Sequence, residues 1–200
     1  NWYFNATASR DSTFESKLSN RLFVQLQPWD RNGIVGTVDA GVGVDTHHYF
    51  QFQPEDFLSG NTRGVNRNSF YVYGAVEGKF RKYFDWNGDL RYVPFGYRQN
   101  DLEANASAKL SIYFGEHPVS LSGHFGYSLR DPSYWSENYY SSHFIWHNAF
   151  QKENETVLDV HLTAPTVNAE AGFYQSVAGN KIYYRPNGAP RQASAPASVT

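Results

Sequence analysis

Between Leu102 and Arg130 the sequence alternates for longer than an ordinary strand requires. From Leu102 to Tyr113 apolar residues occupy the even positions (Leu102, Ala104, Ala106, Ala108, Leu110, Ile112), and polar residues occupy nearly every odd one. After Gly115-Glu116-His117-Pro118 the alternation resumes, with Val119, Leu121, Gly123, Phe125, Tyr127 and Leu129 opposed to Ser120, Ser122, His124, Gly126, Ser128 and Arg130. A period of two is the period of a strand, so the segment reads as one long antiparallel hairpin. Each arm is roughly twice the usual strand length of about 5 to 6 residues. Each therefore reaches the 9 to 11 or so residues that a tilted strand needs to cross a bilayer.

The two faces ask for different surroundings. Ala104, Ala106, Ala108 and Gly123 suit lipid or a packed sheet, whereas Glu103, Asn105, Lys109, His124 and Arg130 suit water and would be costly inside a sandwich core. Composition favours the membrane. Of 200 residues, 15 are Tyr, 15 Phe and 5 Trp, yet mean hydropathy is −0.59. Aromatic girdles around a polar lumen combine those properties. No apolar run is long enough for a membrane helix. The absence of cysteine excludes disulfides, thiolate metal sites and cysteine nucleophiles. A net charge of −2 with no basic stripe gives no footprint for nucleic acid.

Ten strands are expected along the chain. The first is 2–9, followed by a polar connector over 11–17 and a strand over 18–27. Asp30-Arg31-Asn32-Gly33 is a hairpin turn. Strand 34–45 carries Val38, Ala40, Val42 and Val44 against Asp39 and Asp45, and 47–68 reads as a long loop. Strand 70–80 leads to a turn at Asp85-Trp86-Asn87-Gly88-Asp89, and 90–97 is a strand interrupted by Pro94. Beyond the opening hairpin come an aromatic loop over 131–142, a strand around Phe144, Trp146 and Phe150, and a turn over 152–155. A strand through Leu158, Val160 and Leu162, a break at Ala164-Pro165-Thr166 and a strand through Ala169, Ala171 and Phe173 complete the set. The strands and loops are expected over 1–185, with 186–200 a Pro/Ala-rich loop leading towards further strands.

Short turns at 30–33, 85–89, 115–118 and 153–155 occupy every second connection, and the longest loops fall on the others. That is the transmembrane-barrel arrangement, short turns on the periplasmic side and long loops outside. The links near 98–101 and 164–166 depart from it, being short on the long-loop side.

The pattern supplies pore-lining candidates: Asp39, Asp45, Glu77, Lys79, Arg81, Glu103, Lys109, His124, Arg130, Asp159, His161 and Glu170. Rings of charge in a lumen set ion selectivity, and Glu77, Lys79 and Arg81 stand out because three successive charges project one way. Filling the lumen with mutual salt bridges is the plainer role. Trp29, Trp86, Trp135 and Trp146 lie near strand ends, where an interfacial belt would place them. No metal site is expected: His143 and His147, four apart on a strand, would stand roughly 13 Å from each other. No cofactor is expected, and no Ser-His-acid set is defined by spacing, so no catalytic residue is assigned and the protein is expected not to be an enzyme.

Asn20-Arg21-Leu22-Phe23-Val24-Gln25-Leu26-Gln27-Pro28-Trp29, the Asp101-Leu102-Glu103-Ala104 strand with its hairpin, Ala171-Gly172-Phe173-Tyr174 and Asn180-Lys181-Ile182-Tyr183-Tyr184 together resemble the putative-porin family of Bacteroidota outer membranes. The resemblance implies an all-β, antiparallel transmembrane barrel in the bacterial outer membrane, with these residues a portion of a longer chain. It implies a channel for passive diffusion of small polar solutes, with the lipid bilayer as partner and other envelope proteins as further candidates. Ten strands closing alone would fill their interior with side chains, so an open pore would need more strands. Two other readings stand beside this one: a non-transporting barrel acting as a scaffold in an envelope complex, and a soluble β-sandwich binding glycans through exposed Tyr and Trp.

Overall fold

The computed structural model describes residues 12–27, 34–51, 64–141 and 144–199. Nine strands form one antiparallel meander. They are β1 (Thr13–Leu26), β2 (Thr37–Gln51), β3 (Gly64–Phe80), β4 (Phe84–Gly96), β5 (Leu102–Phe114), β6 (His117–Arg130), β9 (Glu153–Ala164), β10 (Ala169–Gly179) and β13 (Ala197–Val199). Between β6 and β9 lie a single helical turn, α1 (Tyr134–Glu137), and a hairpin of β7 (Asn138–Tyr140) with β8 (Ile145–His147). Between β10 and β13 lies the hairpin of β11 (Ile182–Tyr184) with β12 (Pro190–Gln192). Among the described residues the main sheet is open: β1 pairs only with β2, and β13 only with β10.

The opening hairpin is β5 and β6. Leu102 pairs with Leu129, Ala106 with Phe125 and Leu110 with Leu121, while Glu103 faces Ser128 and Lys109 faces Ser122. The 13 residues of β5 run about 40 Å along the strand at roughly 3.3 Å per residue, or about 28 Å across a bilayer at 45° tilt.

Register carries the two faces across the whole sheet, because side chains directly opposite share a face. One face bears Leu22, Val24, Val42, Val44, Val72, Leu90, Leu110, Leu121, Phe125, Leu158, Leu162 and Phe173, and these side chains are exposed, Leu22 to 74%. The other face holds buried polar side chains: Asp45, His47, Ser69, Ser111, Ser120 and Ser176. This polarity is the reverse of a water-soluble sheet, which buries its apolar face. A single nine-stranded sheet with that face uncovered also differs from the glycan-binding sandwich, which needs two sheets packed through apolar faces.

Several sequence expectations are corrected. The turn expected at Asp85 to Asp89 lies within β4; the chain reverses at Arg81-Lys82-Tyr83, with Arg81 at φ 50. Placing the turn there pairs Phe80 with Phe84, Lys79 with Asp85 and Glu77 with Asn87. Those cross-strand contacts outweigh the local turn preference of Asn87-Gly88. The turn expected over 152–155 falls partly inside β9, where Glu153 and Glu155 pair with Arg130 and Ser128 on the polar face. The strand expected through Phe144, Trp146 and Phe150 shrinks to β8, outside the main sheet, because Trp146 stacks on Tyr139 instead of joining a sheet face.

Of the loop expected over 47–68, residues 47–51 belong to β2 and 64–68 to β3, and 52–63 lie outside the described residues. Rings on both faces, Tyr49 and Phe50, had hidden the period. Thr13 to Lys17, expected as connector, belongs to β1. Pro94 does not end its strand. It sits where the β3–β4 register shifts, at a bulge that spares it a ladder hydrogen bond. Within 186–200, read as loop, β12 pairs with β11 and β13 with β10. The expected strand over 2–9 and the Asn32-Gly33 turn lie outside the described residues.

These corrections sharpen the alternation of connections. Arg81 to Tyr83, Gly115-Glu116 and the turn around Pro165–Val167 all lie at one end of the sheet, so the break at 164–166 joins the short-turn set. Among the described residues, the opposite end carries the long connections 131–152 and 180–196 and the short one 97–101.

Candidate lumen surface

Eleven of the twelve pore-lining candidates share the polar face by register: Asp39, Asp45, Glu77, Lys79, Glu103, Lys109, His124, Arg130, Asp159, His161 and Glu170. Arg81 sits in the β3–β4 turn instead, its guanidinium 5.8 Å from the centre of the Phe80 ring. Glu77, Lys79 and Arg81 therefore do not act as a row inside the sheet. Glu77 accepts a hydrogen bond from Thr37 at 2.8 Å, and Lys79 pairs with Asp85 at 3.2 Å near the short-turn rim.

The most connected charges form a ladder farther from that rim, reaching the long-loop end at Glu103 and Arg130. Asp45, its side chain only 6% exposed, is 2.9 Å from Lys17 and 2.8 Å from Arg91, and accepts a hydrogen bond from Ser19 at 2.7 Å. Arg91 approaches Glu103 at 3.7 Å, and Glu103 holds Arg130 at 3.0 Å. Positive and negative groups thus alternate from β1 through β2, β4 and β5 to β6. Arg91 reaches over β3 because Tyr71 lies flat beneath it, its ring centre 4.2 Å from the guanidinium. Tyr71 can lie so only because β2 has Gly43 below it; a Cβ there would stand 2.3 Å from the Tyr71 ring. Lys17 and Arg91 escape the sequence reading: Lys17 falls in the expected connector, and Arg91 in the expected strand 90–97, whose two faces the interruption at Pro94 obscures.

Other candidates form smaller groups. His161 lies 2.7 Å from Asp159 and 3.3 Å from Glu170, and His124 lies 3.0 Å from Ser107. Lys109 lines a cavity of about 450 Å³ with Glu77, Asp85, Asn87 and Ser122. Asp39 stands between Gln25 and Ala75.

The long connection 131–152 folds back onto the polar face at the long-loop end. Lys152 stands 2.6 Å from both Asp101 and Asp131, and the Asp131 amide donates to Asp101 at 2.8 Å. Burial pushes the Asp101 carboxyl above its ordinary range, an effect that Lys152 partly offsets. Glu137 in α1 is also raised by burial, while it accepts a hydrogen bond from the Phe150 amide at 3.2 Å. Tyr134 stacks on Tyr49 with ring centres 4.1 Å apart, and Trp135 donates to Glu15 at 3.1 Å. The Gln51 amide bonds both to the Tyr140 carbonyl and, at 2.9 Å, to the Tyr140 amide.

This placement corrects two of the expected interfacial tryptophans. Trp135 packs on the polar face against Tyr49, and Trp146 packs among the loops, stacked on Tyr139 and donating to the Trp135 carbonyl at 2.9 Å. Both rings find neighbours inside the folded connection, which removes them from the outer surface. Trp86 lies on the apolar face near the short-turn end, donating to the Ile34 carbonyl at 3.2 Å. Trp29 lies outside the described residues. The apolar face carries its exposed aromatic ends in Phe14 and Phe95 at the long-loop end and Phe80 and Phe114 at the other. Phenylalanine supplies them, and a search confined to tryptophan passes over it.

In comparison with known proteins, the family model described as putative porin matches residues 1–200. No curated protein and no solved structure matches the chain.

Proposed function

Because the chain belongs to the putative porin family, we propose that it forms the wall of an outer-membrane channel passing small polar solutes by passive diffusion, without catalysis or a cofactor. The observation that carries this reading is the inverted polarity of the sheet. A continuous apolar face is exposed, while buried Asp45 and its partners line the opposite face. The first face suits lipid tails. The second suits a hydrated path, since ion pairs there keep water on one side and avoid the full penalty of burial. Family membership supports the outer membrane as its location and lipid as its contact.

Solutes would be sorted by size and by the transverse field of the Lys17–Asp45–Arg91–Glu103–Arg130 ladder, in which cationic and anionic groups alternate across the wall. Stepwise conductance of the purified protein in a planar lipid bilayer is the expected result. Intact, membrane-inserted protein without conductance would overturn the channel reading and favour the non-transporting scaffold.

A further inference from the structure

The folded connection and the sheet enclose a second cavity, of about 210 Å³, chemically unlike the rest of the polar face. Tyr49, Tyr134, Trp135 and Tyr140 line it together with Gln51, Asn138 and His147, and among the described residues no Asp, Glu, Lys or Arg lines it. Elsewhere on this face charge pairs recur from strand to strand. A charged solute would find no counter-ion here, and a purely apolar one would leave the amide and imidazole unused.

The walls are held in place before any solute arrives. Tyr134 is stacked on Tyr49, Trp135 meets both rings edge to face and is tied to Glu15, and Tyr140 is clamped through its backbone by Gln51. Pre-organised rings with adjoining hydrogen-bonding groups cut the ordering cost of binding. Tyr49, only 2% exposed, is stacked between His47 and Tyr134 and has the Arg98 side chain beside its hydroxyl, so it serves as a fixed wall.

We propose that this cavity is a binding station for one ring of a neutral saccharide. A pyranose ring offers what the walls ask for: C–H faces that lie against aromatic rings, and hydroxyls that can both donate to and accept from Asn138 and His147. The station deepens the channel reading and rests on it, since it sits at the long-loop mouth on the solute path. Binding of a saccharide ring there would narrow that path.

The test is ion current through the full chain in planar bilayers, with glucose, mannitol or lactate added. Glucose should reduce the current in a saturable manner. Mannitol, which has hydroxyls but no ring face, and lactate, which is charged, should not. Asn138→Ala should weaken the glucose effect roughly tenfold, the loss of about one good hydrogen bond, and Trp135→Ala should abolish it. Conducting channels that ignore glucose, or that respond equally to all three solutes, would overturn the saccharide station and leave the channel intact. If the protein does not conduct, the channel reading fails. The station is then judged by tryptophan fluorescence of the detergent-solubilised protein: a saturable glucose response lost in Trp135→Ala upholds it, and no response overturns it.

Discussion

Asp45 shows how single residues on the polar face depend on one another. Its carboxylate reaches Arg91 because Tyr71 supports the guanidinium, and Tyr71 lies flat because position 43 has no side chain. Asp45→Asn keeps the shape and removes the charge between two cations. Lys17 is half-exposed and can rehydrate, and Arg91 retains Glu103, so the cost should be about 1–3 kcal/mol, less than for stranding a fully buried ion. In a salt gradient the reversal potential should move towards anion selectivity. Neutralising Glu77, Lys79 and Arg81 together should move it less, because Lys79 already pairs with Asp85 near the rim and Arg81 lies in the turn. A larger shift from that triple variant than from Asp45→Asn would return the selectivity role to the rim.

The elements were legible to different degrees. β5 and β6 were readable residue by residue because their two faces alternate almost without exception. The β3–β4 turn was not, since Asn87-Gly88 carries a strong local turn preference that the pairing of β3 with β4 overrides. The connection 131–152 was legible only as aromatic. Its inward fold depends on Lys152 meeting Asp101 and Asp131 and on Tyr134 meeting Tyr49, partners distant in sequence.

That connection should respond to pH. Asp101 faces Lys152 and Asp131, and Glu137 faces Asp131 and His147. Both carboxyls are raised by burial above their ordinary values of 3.8 and 4.5. The folded state therefore binds their protons more tightly than the unfolded one. Their contribution to stability is complete below those ordinary values and is lost as pH rises through the raised ones. Amide-exchange protection across 131–152, corrected for the intrinsic rate, should be greater near pH 4 than near pH 7. Protection that falls on acidification would contradict this assignment.

At the scale of the whole molecule, the two faces should respond unequally to the introduction of the same charge. Phe125→Arg puts a cation on the exposed apolar face near mid-strand and should cost about 2–4 kcal/mol in a bilayer. Ser122→Arg, on the polar face of the same strand opposite Lys109 and His161, should cost much less. Folding equilibria in lipid vesicles would measure both, and equal costs would contradict the assignment of lipid and lumen faces. The same polarity predicts that the protein needs detergent or lipid to remain dispersed and migrates differently on a gel before and after heating. Solubility without detergent would count against the membrane reading.

The sequence by itself determined the strand period, the apolar and polar face of most long strands, and the alternation of short turns with long loops. Each of these follows from side chains two residues apart and from local chain reversal. Only the tertiary structure decided the registers, and with them the ladder from Lys17 to Arg130 and the fold of 131–152 over Tyr49 and Gln51. Those features join residues of strands whose relative positions no local pattern specifies: a shift of one residue changes every partner, and the choice falls to the summed pairing of the whole sheet.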